Sequence, residues 1–304
     1  MDVYDFPFGW RGLTLNGHRT AAGALDTTKE NDTARVNSFD PSRLQQRDQR
    51  EALHLLSGGD LGDATVAFRY LSIAGTIKAP SGALLSDRIS TLLAQFDIEE
   101  EQRASTSTGG IFPLTFTDTT TIVTGRGTPF TDIHGNNGEY VPEFYNARSA
   151  AGAIITGRRS GGDSAAFAIE LVCPDRRRYI QTAEAVVLNA GNGFSATCPN
   201  WNSTEGISVS PILTILMAAA GATNLTISAG GTNLVLKMDA ETAGTFTVDT
   251  ATGLISKGAT PRADLRTSTV LTPFLKVLPG GSVFAVTNTT GLTSVTVGYS
   301  QARG

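Results

Sequence analysis

Apolar positions recur every second residue over much of the chain, and in one segment they change to a helical spacing. Val66, Phe68 and Tyr70, then Leu71, Ile73 and Ile77, read as strand. The alternation slips near Leu71, which predicts a bulge within one long strand or two short strands. Gly75 marks a close backbone approach or a second bend. Pro80, Ser81 and Gly82 stop this run. Leu84, Leu85, Ile89, Leu92, Leu93 and Phe96 then form an amphipathic stripe that predicts a helix over 82–97 with Ser81 as N-cap. The acidic run Asp97, Glu99, Glu100 and Glu101 reads as a solvated helix end. Ala104 to Gly110 reads as a flexible connector. Thr115 to Val123 is a Thr-rich strand candidate, and Arg126 to Tyr140 is rich in Gly, Asn and Asp and reads as a long loop. Further strands are expected at 144–145, 153–156 and 166–172, the last with Phe167, Ile169 and Leu171 on one apolar face.

The texture changes after a polar stretch at 191–205. Short strands are predicted at 212–217, 224–227, 232–237, 245–249, 253–256, 274–277, 282–287 and 294–299, separated by Gly-rich turns. Such a series suits a compact antiparallel sandwich. Two domains follow, 1–190 and 205–304, in a mainly β fold. The first carries the helix near 82–97 and an excursion near 104–145. Residues 1–60 look polar and irregular, and the stretch from Arg43 to Glu51 looks solvated.

With 304 residues, the chain has material for two cores. Charged residues make up only 17% and the formal net charge is -4, so no basic excess exists to grip nucleic-acid phosphates. The N-terminus lacks the basic and apolar regions of a signal peptide. The longest apolar run, Ile212 to Ala220, is about half of what a membrane-spanning helix needs, so no membrane insertion is expected. Cys173 and Cys198 read as reduced thiols of a protein assembled in a cytoplasm, with one bridge left open. His18, His54 and His134 stand apart from one another and from cysteine, so no metal site is expected. No Gly-x-Ser-x-Gly elbow occurs. Gly157 to Ser164 has phosphate-loop glycines but Asp163 where Lys belongs. The pairs Asp239/Glu241 and Glu99/Glu101 read as solvent-facing charges. Trp10 and Trp201 read either as core or interface anchors or as stacking platforms for a saccharide. No catalytic residue, cofactor or metal is implied.

Three segments carry a resemblance. Phe68 to Pro80, leading directly into the Leu84–Leu93 helix, resembles the distal tail protein family of siphovirus-type phages, where an apolar-x-Gly-x-apolar strand precedes one helix. Phe167 to Tyr179 is similar to the family's closing strand and its Asp-Pro-Arg-x-Tyr turn: Asp175, Arg177 and Tyr179 fit, and Arg176 replaces Pro. Phe274 to Val286 resembles the family's C-terminal Pro-Gly hairpin, with Ser282 in place of Asn. The resemblance implies an N-terminal tail-tube-like β-sandwich or barrel with one α-helix, plus a C-terminal galectin-like (jelly-roll) β-sandwich. It implies a hexameric ring at the tip of a phage tail, in the virion. The implied partners are the tail tube protein, the hub or baseplate protein, the tape measure protein and DNA in the lumen, and side fibres or a receptor-binding protein. Candidate subunit-interface residues are Asp175, Arg176, Arg177, Arg178, Tyr179 and Trp201, and the 104–145 excursion is expected to clasp a neighbour. Two rival readings stand beside this one: a carbohydrate-binding or adhesive surface module, and a tube protein with an added outer domain.

Overall fold

The computed structural model describes residues 5–47, 65–104, 110–121, 123–157, 163–175, 177–201, 206–219, 224–239, 241–267 and 275–303, with the backbone alone at 42–47 and 65–67. The chain divides into two compact units, Met1–Arg178 and Tyr179–Gly304. The division therefore falls before the polar stretch at 191–205.

In the first unit the strands are β1 (Phe8–Trp10), β2 (Leu13–Leu15), β3 (Thr33–Arg47), β4 (Thr65–Lys78), β5 (Phe112–Thr120), β6 (Thr128–Thr131), β7 (Asn137–Thr156) and β8 (Ser164–Cys173). Their order is β2-β1-β5-β7-β8-β4-β3, with β6 also on β7, and every pairing is antiparallel. Leu71, Ile73 and Ile77 alternate inward without a break, and β4 pairs with β8 continuously from Arg69 to Lys78. The irregularity expected near Leu71 lies across from it, on β3, and not in β4 itself. The register slips lie in the pairing of β4 with β3, one of them between Asp40 and Arg43 where Pro41 has no N–H to offer. Gly75 is a close approach and not a bend: a Cβ there would lie 1.9 Å from the Arg35 carbonyl oxygen and 2.6 Å from the Phe167 ring.

Helix α1 (Gly82–Gln95) forms as its stripe predicts, with the Leu84 N–H donating to Ser81 Oγ at 3.4 Å. Leu85, Leu92 and Phe96 are buried, while Leu84 and Leu93 stay exposed. The acidic run does not end a helix but begins a second one, α2 (Ile98–Ala104). Asp97 accepts from the Glu100 N–H at 3.0 Å, and three glutamates occupy the first turn, where the helix dipole favours negative charge. Glu101 is only 1% exposed, so the solvated reading fails at that residue.

The excursion near 104–145 is largely framework. β5 lies between β1 and β7 and buries Leu114 and Phe116, a position that does not suit a projecting clasp. The short pieces at 144–145 and 153–156 belong to one strand, β7. The polar N-terminal stretch also feeds the core, because β1 and β2 bury Phe8, Trp10 and Leu15. Trp10 stacks on Phe96 at 5.5 Å between ring centroids and donates its indole N–H to the Gln95 carbonyl at 3.0 Å. Of the stretch read as solvated, Arg43–Arg47 is strand and 48–51 lie outside the described residues.

β9 (Arg178–Ile180) straddles the division. The second unit contains β10 (Glu184–Asn189), β11 (Ser195–Cys198), β12 (Ile212–Met217), β13 (Leu225–Ala229), β14 (Thr232–Leu236), β15 (Gly244–Asp249), β16 (Ile255–Lys257), β17 (Thr260–Pro261), β18 (Ser282–Thr287), β19 (Leu292–Tyr299) and β20 (Ala302–Arg303). Two antiparallel sheets, β10-β19-β12-β15-β16-β17 and β11-β18-β13-β14, share one core containing Leu213, Ile215, Ile227, Phe246, Phe284 and Val297. β10 and β11 belong here although their sequence reads as domain end and linker. They pair with β19 and β18, which lie near the end of the chain. The strand expected at 274–277 reduces to an isolated bridge from Val277 to Val209, and Phe274 lies outside the described residues.

Candidate functional site

The segment expected to form a basic interface turn splits into an outward and an inward part. Asp175 accepts from the Arg177 N–H at 3.1 Å and pairs with its Nε at 3.6 Å, both side chains about a third exposed. This is a partly exposed surface turn. Arg176 lies outside the described residues. Arg178 turns inward. Its guanidinium contacts Asp118 and lies 3.5 Å from Glu143, whose side chain is 0% exposed. Burial works against the Arg178 charge, but Glu143, Tyr145 and Asp118 outweigh it and hold its pKa above the ordinary value. Tyr145 stacks on Phe116 and accepts from Arg69 Nη1 at 3.0 Å; burial pushes its hydroxyl up to about 12.

Sequence reading missed Asp118 and Glu143. The available signal was parity: Val141, Glu143 and Tyr145 share one face of β7, so a glutamate between two buried apolar positions calls for a partner inside the fold.

Tyr179 is partly buried against the core of the second unit. Trp201 is 1% exposed, with the Arg303 guanidinium 4.9 Å from its ring centroid. Asn200 beside it donates to the Ile207 carbonyl and accepts from the Trp201 and Ala302 N–H groups. Trp201 is thus a core anchor, and its ring is not open to a neighbour or to a sugar in this conformation. Phe246, Phe284 and Tyr299 are also buried, which leaves none of these aromatics as a stacking platform. Both cysteines are free and buried, and burial pushes each thiol up to about 12.

In each pair of carboxylates the second member, Glu241 or Glu101, is buried. Glu241 is 7% exposed and clamped by Arg262 and by Lys257 at 3.3 Å, and the Arg262 hydrogen bonds hold its carboxyl below the ordinary range. Glu99 pairs with Arg103, whereas Glu101 turns inward to Ser149. In the Gly125–Gly127 turn, Glu139 accepts from the Thr124 N–H at 2.9 Å, its hydroxyl at 2.7 Å and the Gly125 N–H at 2.7 Å. Among the described residues no group of three or more His, Cys, Asp or Glu is gathered as metal ligands, and no helix is long and apolar enough to cross a membrane. His18 is buried, and burial with Arg35 and Arg19 lowers its pKa; His134 is exposed, and His54 lies outside the described residues.

These features define a mainly β chain: an antiparallel sheet carrying two helices, followed by a two-sheet sandwich. The whole chain is similar in fold to the crystal structure of the SPP1 Dit (gp 19.1) protein, a paradigm of the hub adsorption apparatus in phages that infect Gram-positive bacteria. The TM-score is 0.56 at 10% identity, and the match covers 98% of both chains. Two structures of the phage P2 baseplate in its activated conformation, with Ca and with Sr, match at TM-scores of 0.37 and 0.35, each at 11% identity over 90% of this chain and 92% of that chain. No family model and no curated protein matches the sequence. At 10% identity the likeness to the Dit protein is one of fold.

Proposed function

We propose that this chain is a structural subunit of a phage tail tip, a distal tail protein that closes into a ring, in the virion, with no catalytic step. The observation that carries this reading is the end-to-end similarity in fold to the SPP1 Dit protein, both units included. The buried state of Glu101, Glu143 and Glu241 supports it, because these carboxylates face Ser149, Arg178 and Arg262 inside the fold. In this reading the first unit is the tail-tube-like ring former and the second is a galectin-like sandwich. Six copies join the tail tube to the hub or baseplate, enclose a lumen for the tape measure protein and DNA, and anchor fibres or a receptor-binding protein. A ring requires each subunit to present two different, complementary patches.

Light scattering of the purified chain over a range of concentrations, with negative-stain imaging, tests this. Closed particles of about six times 31.9 kDa are expected. A strict monomer at every concentration counts against self-closing rings.

A further inference from the structure

The exposed surface of the first unit contains two patches of opposite charge, each with apolar residues beside the charge. The first is a cleft of about 380 Å³ whose lining includes Phe68, Tyr70, Ile98, Glu101, Arg148 and Val172. It opens where β7 slips against β8: pairing is regular at Arg148–Val172 and Ser149–Leu171, then resumes at Ala153–Ile169. The extra residues push the backbone outward at Gly152, which has φ +76°, and bulges of this kind re-aim neighbouring side chains. Glu101 locks the bulge by accepting from the Ser149 N–H at 2.8 Å and from its hydroxyl, so its carboxylate is already committed. Phe68 and Ile98 are 37% and 38% exposed. Arg148 is exposed, and its guanidinium has no partner among the described residues.

The second patch is the outer face of α1. Ala83, Leu84, Asp87, Ser90, Leu93 and Ala94 are all exposed. Its other charged residue, Arg88, is occupied by Asp32 at 2.9 Å. The Asp87 carboxylate has no partner among the described residues, and it stands three positions from Leu84, on the same stretch of helix surface.

Strand parity turns Tyr70, Val172 and Arg148 of the cleft away from α1, while α2 closes the cleft from the other side through Glu101 and Ser149. Leu71 and Ile73 pack into the core with Leu85 and Leu92 of α1, so they mark the side that α1 covers. Tyr70, Val172 and Arg148 form a cross-strand row one residue out of step with Leu71, and therefore face the other way. Two unlike patches are what a head-to-tail contact between identical subunits needs.

We propose that the α1 face of one copy docks on the Arg148 cleft of the next, with Asp87 of the incoming helix paired to Arg148 and Leu84 or Leu93 covering Phe68 and Ile98. This rests on the ring reading and names a contact within it. The 14-residue helix offers about 20 Å by 10 Å, a fraction of the ~800 Å² per partner of a standard interface. The contact therefore sets register within a larger interface.

The test is a charge swap in the full chain, read by light scattering, negative stain and thermal melting. Arg148→Glu and Asp87→Arg each weaken ring formation at least roughly tenfold in concentration, and the double variant Arg148→Glu with Asp87→Arg restores it. All variants keep the melting temperature of the parent. Intact rings in Arg148→Glu, or no recovery in the double variant, overturn this contact and leave the ring reading standing. A parent chain that stays monomeric throughout overturns both this contact and the self-closing ring.

Discussion

Arg178 is where a structural role and an interface role predict opposite outcomes. Replacing it with Met removes the guanidinium from Asp118 and from the fully buried Glu143 side chain. Breaking a buried pair from one side costs ~3–5 kcal/mol. The partial exposure of Arg178 and Asp118 lets water screen part of that, so about 3 kcal/mol is the working figure. For a unit of 150–250 residues, 1 kcal/mol moves the midpoint by about 2–4 °C, so the first unit should melt roughly 6–12 °C lower. Calorimetry on the parent, Arg178→Met, Glu143→Gln and the double variant checks this. The double variant should recover much of the loss, because a neutral amide tolerates the missing cation. A fall of less than about 2 °C in Arg178→Met, accompanied by loss of rings, would sink the structural assignment and return Arg178 to the interface.

Three further outcomes follow from the same geometry. Gly75→Ala places a methyl group against a backbone carbonyl that cannot move away, so a loss at or above the ~1–3 kcal/mol typical of overpacking is expected in denaturant melts; unchanged stability would contradict the close approach. Burial raises the Glu101 carboxyl above its ordinary 4.5, against the pull of its Ser149 hydrogen bonds. The folded state then binds the proton more tightly than the unfolded state, so stability from this group declines as pH rises above about 4.5 toward the raised value. Glu101→Gln should flatten that part of the profile of stability against pH, and an identical profile in the variant would refute the assignment. Cys173 and Cys198 should resist alkylation at pH 8 in the native protein and react fully in urea, as thiols pushed up to about 12 require; prompt native labelling would show that one of them is accessible.

Local chemistry was legible wherever neighbours in sequence are also neighbours in space. The stripe from Leu85 to Phe96 and the Ser81 cap define α1, and alternation defines β8, β12, β18 and β19 to within a residue or two, because helix turns and strand faces are periodic in the chain itself. Tertiary structure decided the rest. Strands of three residues, such as β1 and β2, are too short to show a period, yet their pairing with each other and with β5 brings Phe8 and Trp10 to the core. β10 and β11 look like linker because their partners stand at the other end of the chain. Arg178 and Glu101 look like surface charge because nothing in their own segments reveals the Asp118–Glu143 face or the Ser149 bulge that receives them. A buried charge depends on what the fold brings against it, and that pairing is long-range.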